Sequence, residues 1–220
     1  MNKFSSEYYA YIQDKLYTAV LADILDSVGY RHQVMPHTLR PLYPSAKIAG
    51  RAATMITADI DEIPTEPYKL ELRLLDDLKP GEVVVCSTQG SMRAALWGEL
   101  LSTHTRAKGG RGALIDGLSR DAAQISAMQF PVFALGLLPA DSRGRIEVTA
   151  IRQPVKIGDV LVQDGDLIVA DLDGCVAVPQ AVEDQVIEAA FKKAAAENVV
   201  RDLLSKGASI QQVFNDYGIL

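Results

Sequence analysis

Three side chains carry the strongest chemical potential in this sequence: Glu99, Arg120 and Asp121. A carboxylate such as that of Asp121 is a hard oxygen ligand for Mg2+ or Mn2+, and hydrated Mg2+ needs only one or two protein carboxylates. Arg120 offers a planar fork that matches a substrate carboxylate or an oxyanion. Glu99 can hold a metal-bound water or move a proton. If a helix starts at Gly98, the amides of Gly98, Glu99, Leu100 and Leu101 would face an anion. The plainer alternative is that Arg120 and Asp121 only open a helix and that Glu99 is a solvated helix residue.

These residues need elements that bring them together. Glu82–Ser87 (EVVVCS) reads as a buried strand, β-branched and too short for a helix. Residues 88–97 lead into a helical segment, Gly98–Lys108. Ala113–Asp116 (ALID) reads as a second buried strand, Arg120–Met128 as a short helix, and Val132–Leu137 as a third strand. Strand, helix, strand, helix, strand favours parallel pairing with helical crossovers. In such sheets ligands bind in the crevice outside the C-terminal strand ends, where Gly98 and Arg120-Asp121 would lie.

The flanks complete the outline. Leu16–Val28 has the apolar spacing of an amphipathic helix, with Gly29 placed to cap it. Residues 30–46, with Pro36, Pro41 and Pro44, read as an extended connection. Lys47–Thr57 reads as a strand, 58–67 as a loop and Tyr68–Leu78 as a helix. After Arg145, short apolar segments are split at Gly158-Asp159, Asp164-Gly165 and Asp173-Gly174, which are hairpin signals. Ala181–Lys206 is a long helix, and Ser209 caps a short last one ending near Tyr217. The expectation is an α/β fold. It has a mixed central sheet with parallel strand-helix-strand units, a late β-hairpin region and a helical C-terminal arm. Residues 1–220 are read as one domain, with 181–220 as the arm.

Other candidate chemistries fail on order or spacing. Gly109-Gly110-Arg111-Gly112 closes a helix and precedes a strand, the reverse of a phosphate-binding glycine loop, so it reads as a helix cap and turn. His32 and His37 are no standard zinc pair, and no GxSxG elbow occurs. Cys86 and Cys175 lie in apolar segments and read as buried thiols. With 22 Lys and Arg against 28 Asp and Glu, the net charge of −6 argues against a general nucleic-acid binder. The N-terminus lacks the apolar core of a secretory signal, and Ile125–Ala140 is interrupted by Gln129, Pro131, Gly136 and Pro139. A cytoplasmic chain with neither a nucleic-acid nor a membrane partner is expected.

The runs WGELL (Trp97–Leu101), GGRGALIDG (Gly109–Gly117) and SRD (Ser119–Asp121) resemble the RraA-like family. That family includes the 4-hydroxy-4-methyl-2-oxoglutarate and 4-carboxy-4-hydroxy-2-oxoadipate aldolases. Its hallmark is an acidic residue, twenty intervening residues, then Arg-Asp; here Glu99 stands where Asp is usual. LADILDSVG (Leu21–Gly29), ADLDGCVAVP (Ala170–Pro179) and the tail from Lys192 are similar as well. The resemblance implies a swivelling-type domain and a class II, divalent-metal lyase that releases pyruvate from a 4-hydroxy-2-oxo dicarboxylic acid, with oxaloacetate decarboxylation as a side activity. It implies Asp121 as the Mg2+ or Mn2+ ligand, Gly98–Leu101 and Arg120 as substrate contacts, and Glu99 as the residue that positions a proton-accepting water. It also implies a homotrimer or hexamer, with Glu197 of a neighbouring subunit as a further candidate. Two alternatives stay open: a non-enzymatic regulator that binds a ribonuclease, and a lyase of the same site acting on a different 2-oxo acid.

Overall fold

The computed structural model describes residue 3 and residues 5–219. Its elements in order are α1 (Ser6–Lys15), α2 (Thr18–Ser27), β1 (Arg40–Pro41), β2 (Ile48–Asp59), α3 (Lys69–Asp76), β3 (Glu82–Ser87), β4 (Ala95–Trp97), α4 (Glu99–Ala107), β5 (Gly112–Ser119), α5 (Ala122–Ala127) and β6 (Val132–Leu137). There follow β7 (Ile146–Ile151), β8 (Val155–Ile157), β9 (Val160–Val162), β10 (Leu167–Ala170), β11 (Cys175–Val178), α6 (Glu183–Ser205) and α7 (Ile210–Tyr217).

The main sheet runs β1-β6-β5-β3-β2-β10-β11, with β4 added against β5 and β7 against β2. β6, β5, β3 and β2 are mutually parallel, and β1, β7, β10 and β11 pair antiparallel. The mixed α/β architecture expected from the sequence is therefore the observed one. β3 shows why its apolar run is continuous. Side chains alternate across a strand, so Val83 and Val85 face one core while Val84 and Cys86 face the other. The first core is covered by the β8–β9 hairpin through Val155, Ile157, Val160 and Val162. The second is covered by α3, α4 and α5, through Leu74, Leu75, Leu101 and Ile125. A third cluster packs α1, α2 and the first half of α6 on β10 and β11.

Several boundaries differ from the sequence expectation. Residues 6–15, which have no assigned element in the sequence reading, form α1, capped by Ser5. The helix expected over Leu16–Val28 begins only at Thr18, whose N–H and Oγ1 both donate to the Asp171 carboxylate at 2.9 and 2.6 Å. That cap comes from 153 residues away, so no local pattern announces it. Residues 88–97 include the short strand β4. β5 extends to Ser119 because β4 and β6 continue its ladder at Leu118 and Ser119. The helix expected over Arg120–Met128 is α5 from Ala122. Asp121, at φ +57°, lies in the left-handed region and cannot belong to it. Gly109 (φ +80°) and Gly110 close α4, with Gly110 N–H donating to Thr105 O at 2.8 Å, as a cap-and-turn reading requires. Cys86 and Cys175 are free and buried. Among the described residues, no helix is long and apolar enough to cross a membrane.

One charged pair lies inside this packing. Arg51 on β2 is ion-paired to Glu183 at the start of α6, with Nη2 to Oε1 at 2.7 Å, and both residues are buried. Tyr8 Oη donates to Glu183 and Arg51 Nε donates to Tyr9 Oη, so the pair fastens α1 and α6 to the sheet. Removing one member strands the other in low dielectric. Glu183→Ala is therefore expected to lower stability by about 3–5 kcal/mol in urea unfolding.

Candidate active site

Two turns meet at the C-terminal end of β5. Trp97 closes β4 with its indole fully buried and Nε1 donating to Ser102 Oγ at 2.8 Å. Its carbonyl accepts from Arg120 N–H at 2.8 Å and from Ser119 Oγ at 3.1 Å. The strand end that leads into α4 and the one that leads into Arg120-Asp121 are thereby tied together. Gly98 is the N-cap of α4 and offers no side chain to cap it. Asp121 supplies the acceptor instead, with Oδ2 receiving Glu99 N–H at 3.1 Å. The amides of Leu100 and Leu101, in the first turn, have no intrahelical acceptor.

Arg120 and Asp121 are each partly exposed. Arg120 lies between two carboxylates: Nε is 3.8 Å from Asp121 Oδ2, and Nη2 is 3.2 Å from Asp141 Oδ1. Tyr68 Oη donates to the other Asp141 oxygen at 3.1 Å. Ala95 N–H, bonded to Ala140 O at 2.8 Å, holds this loop against β4. These groups surround a cavity of about 200 Å³, walled also by Glu71, Leu72, Leu96, Leu101 and Ser142.

Of the residues picked from sequence, Gly98, Leu100, Leu101, Arg120 and Asp121 line this cavity together. Glu99 contributes its amide to Asp121, but its carboxylate accepts from Thr103 Oγ1 at 2.6 Å along the helix surface. Glu197 is engaged within its own chain, accepting from Tyr17 Oη and lying beside Lys193. The sequence reading missed Tyr68, Glu71, Asp141 and Ser142. Only Glu71 leaves a trace there, as a charged residue on the apolar stripe 71, 74, 75, 78. Desolvation, then the nearby carboxylates of Glu147 and Asp141, push its carboxyl up to about 8. Burial also raises the Tyr68 phenol, and the bond to Asp141 adds to it.

For a divalent cation, the donor set suits a largely hydrated hard ion. Asp121 Oδ1 accepts no hydrogen bond from any described residue, and no group of three or more His, Cys, Asp or Glu converges among the described residues. One carboxylate with retained waters is a common arrangement for Mg2+.

Fold and site together define a member of the RraA-like family: its Aldolase/RraA description matches residues 18–177, so the chain belongs to it. A Halalkalibacterium halodurans protein provisionally named 4-hydroxy-4-methyl-2-oxoglutarate aldolase is 29% identical over 81% of this chain and 80% of its own. The Thermus thermophilus protein named 4-hydroxy-4-methyl-2-oxoglutarate aldolase is 26% identical over 67% of this chain and 85% of its own. The crystal structure of Streptomyces coelicolor RraAS2, described as an unusual member of the RNase ES inhibitor RraA protein family, superposes with a TM-score of 0.78 at 28% identity. It covers 90% of this chain and 98% of that one.

Gly98 is where the two turns leave no room. A Cβ there would stand 2.8 Å from Asp121 Oδ2 and 3.3 Å from Arg120 Cγ and Nε. Gly98→Ala should displace the Asp121 carboxylate from the α4 amide and cost about 1–3 kcal/mol. Urea unfolding reads the cost, and a crystal structure of the variant reads the displacement.

Proposed function

We propose that this chain is a divalent-metal-dependent lyase that cleaves a 4-hydroxy-2-oxo dicarboxylic acid to pyruvate and a second oxo acid. The observation that carries this is the meeting of Arg120, Asp121 and the α4 amides around one small cavity at the C-terminal strand ends. The aldolase names of the relatives support the same reading. Asp121 would hold Mg2+ or Mn2+, mostly through waters, and the cation would supply Lewis-acid polarisation of the 2-oxo group.

The remaining work falls to the chain. The free amides of Leu100 and Leu101 bind the carboxylate end of the substrate at the start of α4. Arg120 is aimed at the cavity by Asp141 and Asp121, so its guanidinium meets the oxygen that gains charge as the C3–C4 bond opens. Glu99, whose carboxylate is bonded to Thr103 Oγ1 on the helix surface, would turn from that bond toward the cavity to order the water that takes the C4 hydroxyl proton. Leu72, Leu96 and Leu101 narrow the cavity and strengthen each polar contact inside it. Decarboxylation of oxaloacetate leaves the same pyruvate enolate and is expected as a side activity. Assembly as a homotrimer or hexamer is part of this reading and is measurable by light scattering.

The test is pyruvate release from a panel of 4-hydroxy-2-oxo acids and oxaloacetate with added Mg2+. Chelation should abolish turnover and Mn2+ should restore it. Arg120→Lys, which loses the fork, and Asp121→Asn are each expected to lower kcat/KM about 10²–10³-fold. If no substrate gives pyruvate above background, the lyase reading is wrong. Co-purification with a ribonuclease, without metal affinity, would then favour the regulator.

A further inference from the structure

Glu71 occupies a position built for a hydrophobic residue. On α3 it shares a face with Leu74 and Leu75, both of which lie in the core. It is 4% exposed and yet lines the candidate active-site cavity. Its side chain has no hydrogen-bond or ion-pair partner among the described residues, whereas Asp141, on the same cavity, is engaged through both oxygens. A buried carboxyl without a partner is costly, and only the cavity is left to give it one.

Burial disfavours its ionised form first, and the carboxylates of Glu147 on β7 and Asp141 in the preceding loop add to this. β3 also presents the buried Cys86 thiol, and the residue that caps α3 is Tyr68. β2 presents Ala53 and Met55 to this core. α4 presents His104, which pairs with Asp76 more than a turn further along α3. Among the described residues, the one cation on the cavity wall, Arg120, is already held by two carboxylates.

We propose that Glu71 is the general acid that protonates C3 of the pyruvate enolate, a role that rests on the lyase reading above. On cleavage the C3–C4 pair becomes the C2–C3 double bond and charge moves to the C2 oxygen. The C4 hydroxyl gives its proton to water and becomes the carbonyl of the second product. The Glu71 O–H bond then breaks and C3–H forms, the C2 carbonyl is restored, and the Glu71 carboxylate regains a proton from that water. Protons balance over the cycle, and no further reagent is needed.

The reverse of this step is visible without any aldol substrate. Full-length protein with Mg2+ and pyruvate in D2O should exchange the methyl protons, as read by loss of the methyl signal in proton NMR. Abstraction needs the carboxylate, so wild-type exchange should rise with pH through about 8. Glu71→Gln should still bind pyruvate and lose exchange at least ~100-fold, and Glu71→Asp should recover part of it with a displaced pH profile. Pyruvate release with wild-type exchange in Glu71→Gln would overturn the role of Glu71 and leave the lyase standing. A wild-type exchange rate flat from pH 7 to 9 would do the same even if the variants did not fold. Neither release nor exchange in the wild type would remove both.

Discussion

The site depends on one acceptor, the carbonyl of Trp97. It receives the Arg120 amide and the Ser119 hydroxyl, and it belongs to the residue whose indole is locked in the core. That junction extends the β4–β5 ladder beyond the strand ends, and the Glu99 N–H to Asp121 bond continues it into the loops. With it, the position of α4 and the position of Arg120-Asp121 become one variable. Gly98 follows directly, and its missing side chain is what lets the Asp121 carboxylate reach the first amide of α4.

Electrostatics in this corner run from deliberate pairing to deliberate isolation. Arg120 is flanked by Asp121 and Asp141, and Asp141 is in turn held by Tyr68. A guanidinium held on both sides has little rotamer freedom left to lose, so an anion entering the cavity would meet a donor already in place. On the same cavity the opposite logic falls on Glu71, which has desolvation and two like charges against it.

Much of the frame was legible in the sequence because it is local. EVVVCS is apolar on both faces and Val132–Leu137 is bounded by turn residues; both became strands with the expected limits. Ser209 caps α7 as its side chain chemistry implies. Convergence of Gly98–Leu101 with Arg120-Asp121 was also readable, since strand order and the rule for α/β crevices suffice. What escaped was set by distant partners. Asp171 decides where α2 begins, and the β4 and β6 ladders carry β5 on to Ser119. Asp141 and Ser142 enter the cavity from a turn with no spacing relation to the motif. The side-chain direction of Glu99 was out of reach as well, because a helical Thr four residues on competes for its carboxylate.

Asp121 combines a positive φ with a carboxylate that serves a helix amide. Few residue types tolerate both demands: Asn keeps the acceptor and the left-handed backbone, whereas Glu, Ser or Ala gives up one or the other. Under the proposed lyase reading, an amide there would remove the cation's anchor while leaving the turn intact, so relatives that carry Asn at this position would be expected to keep the fold for binding rather than turnover.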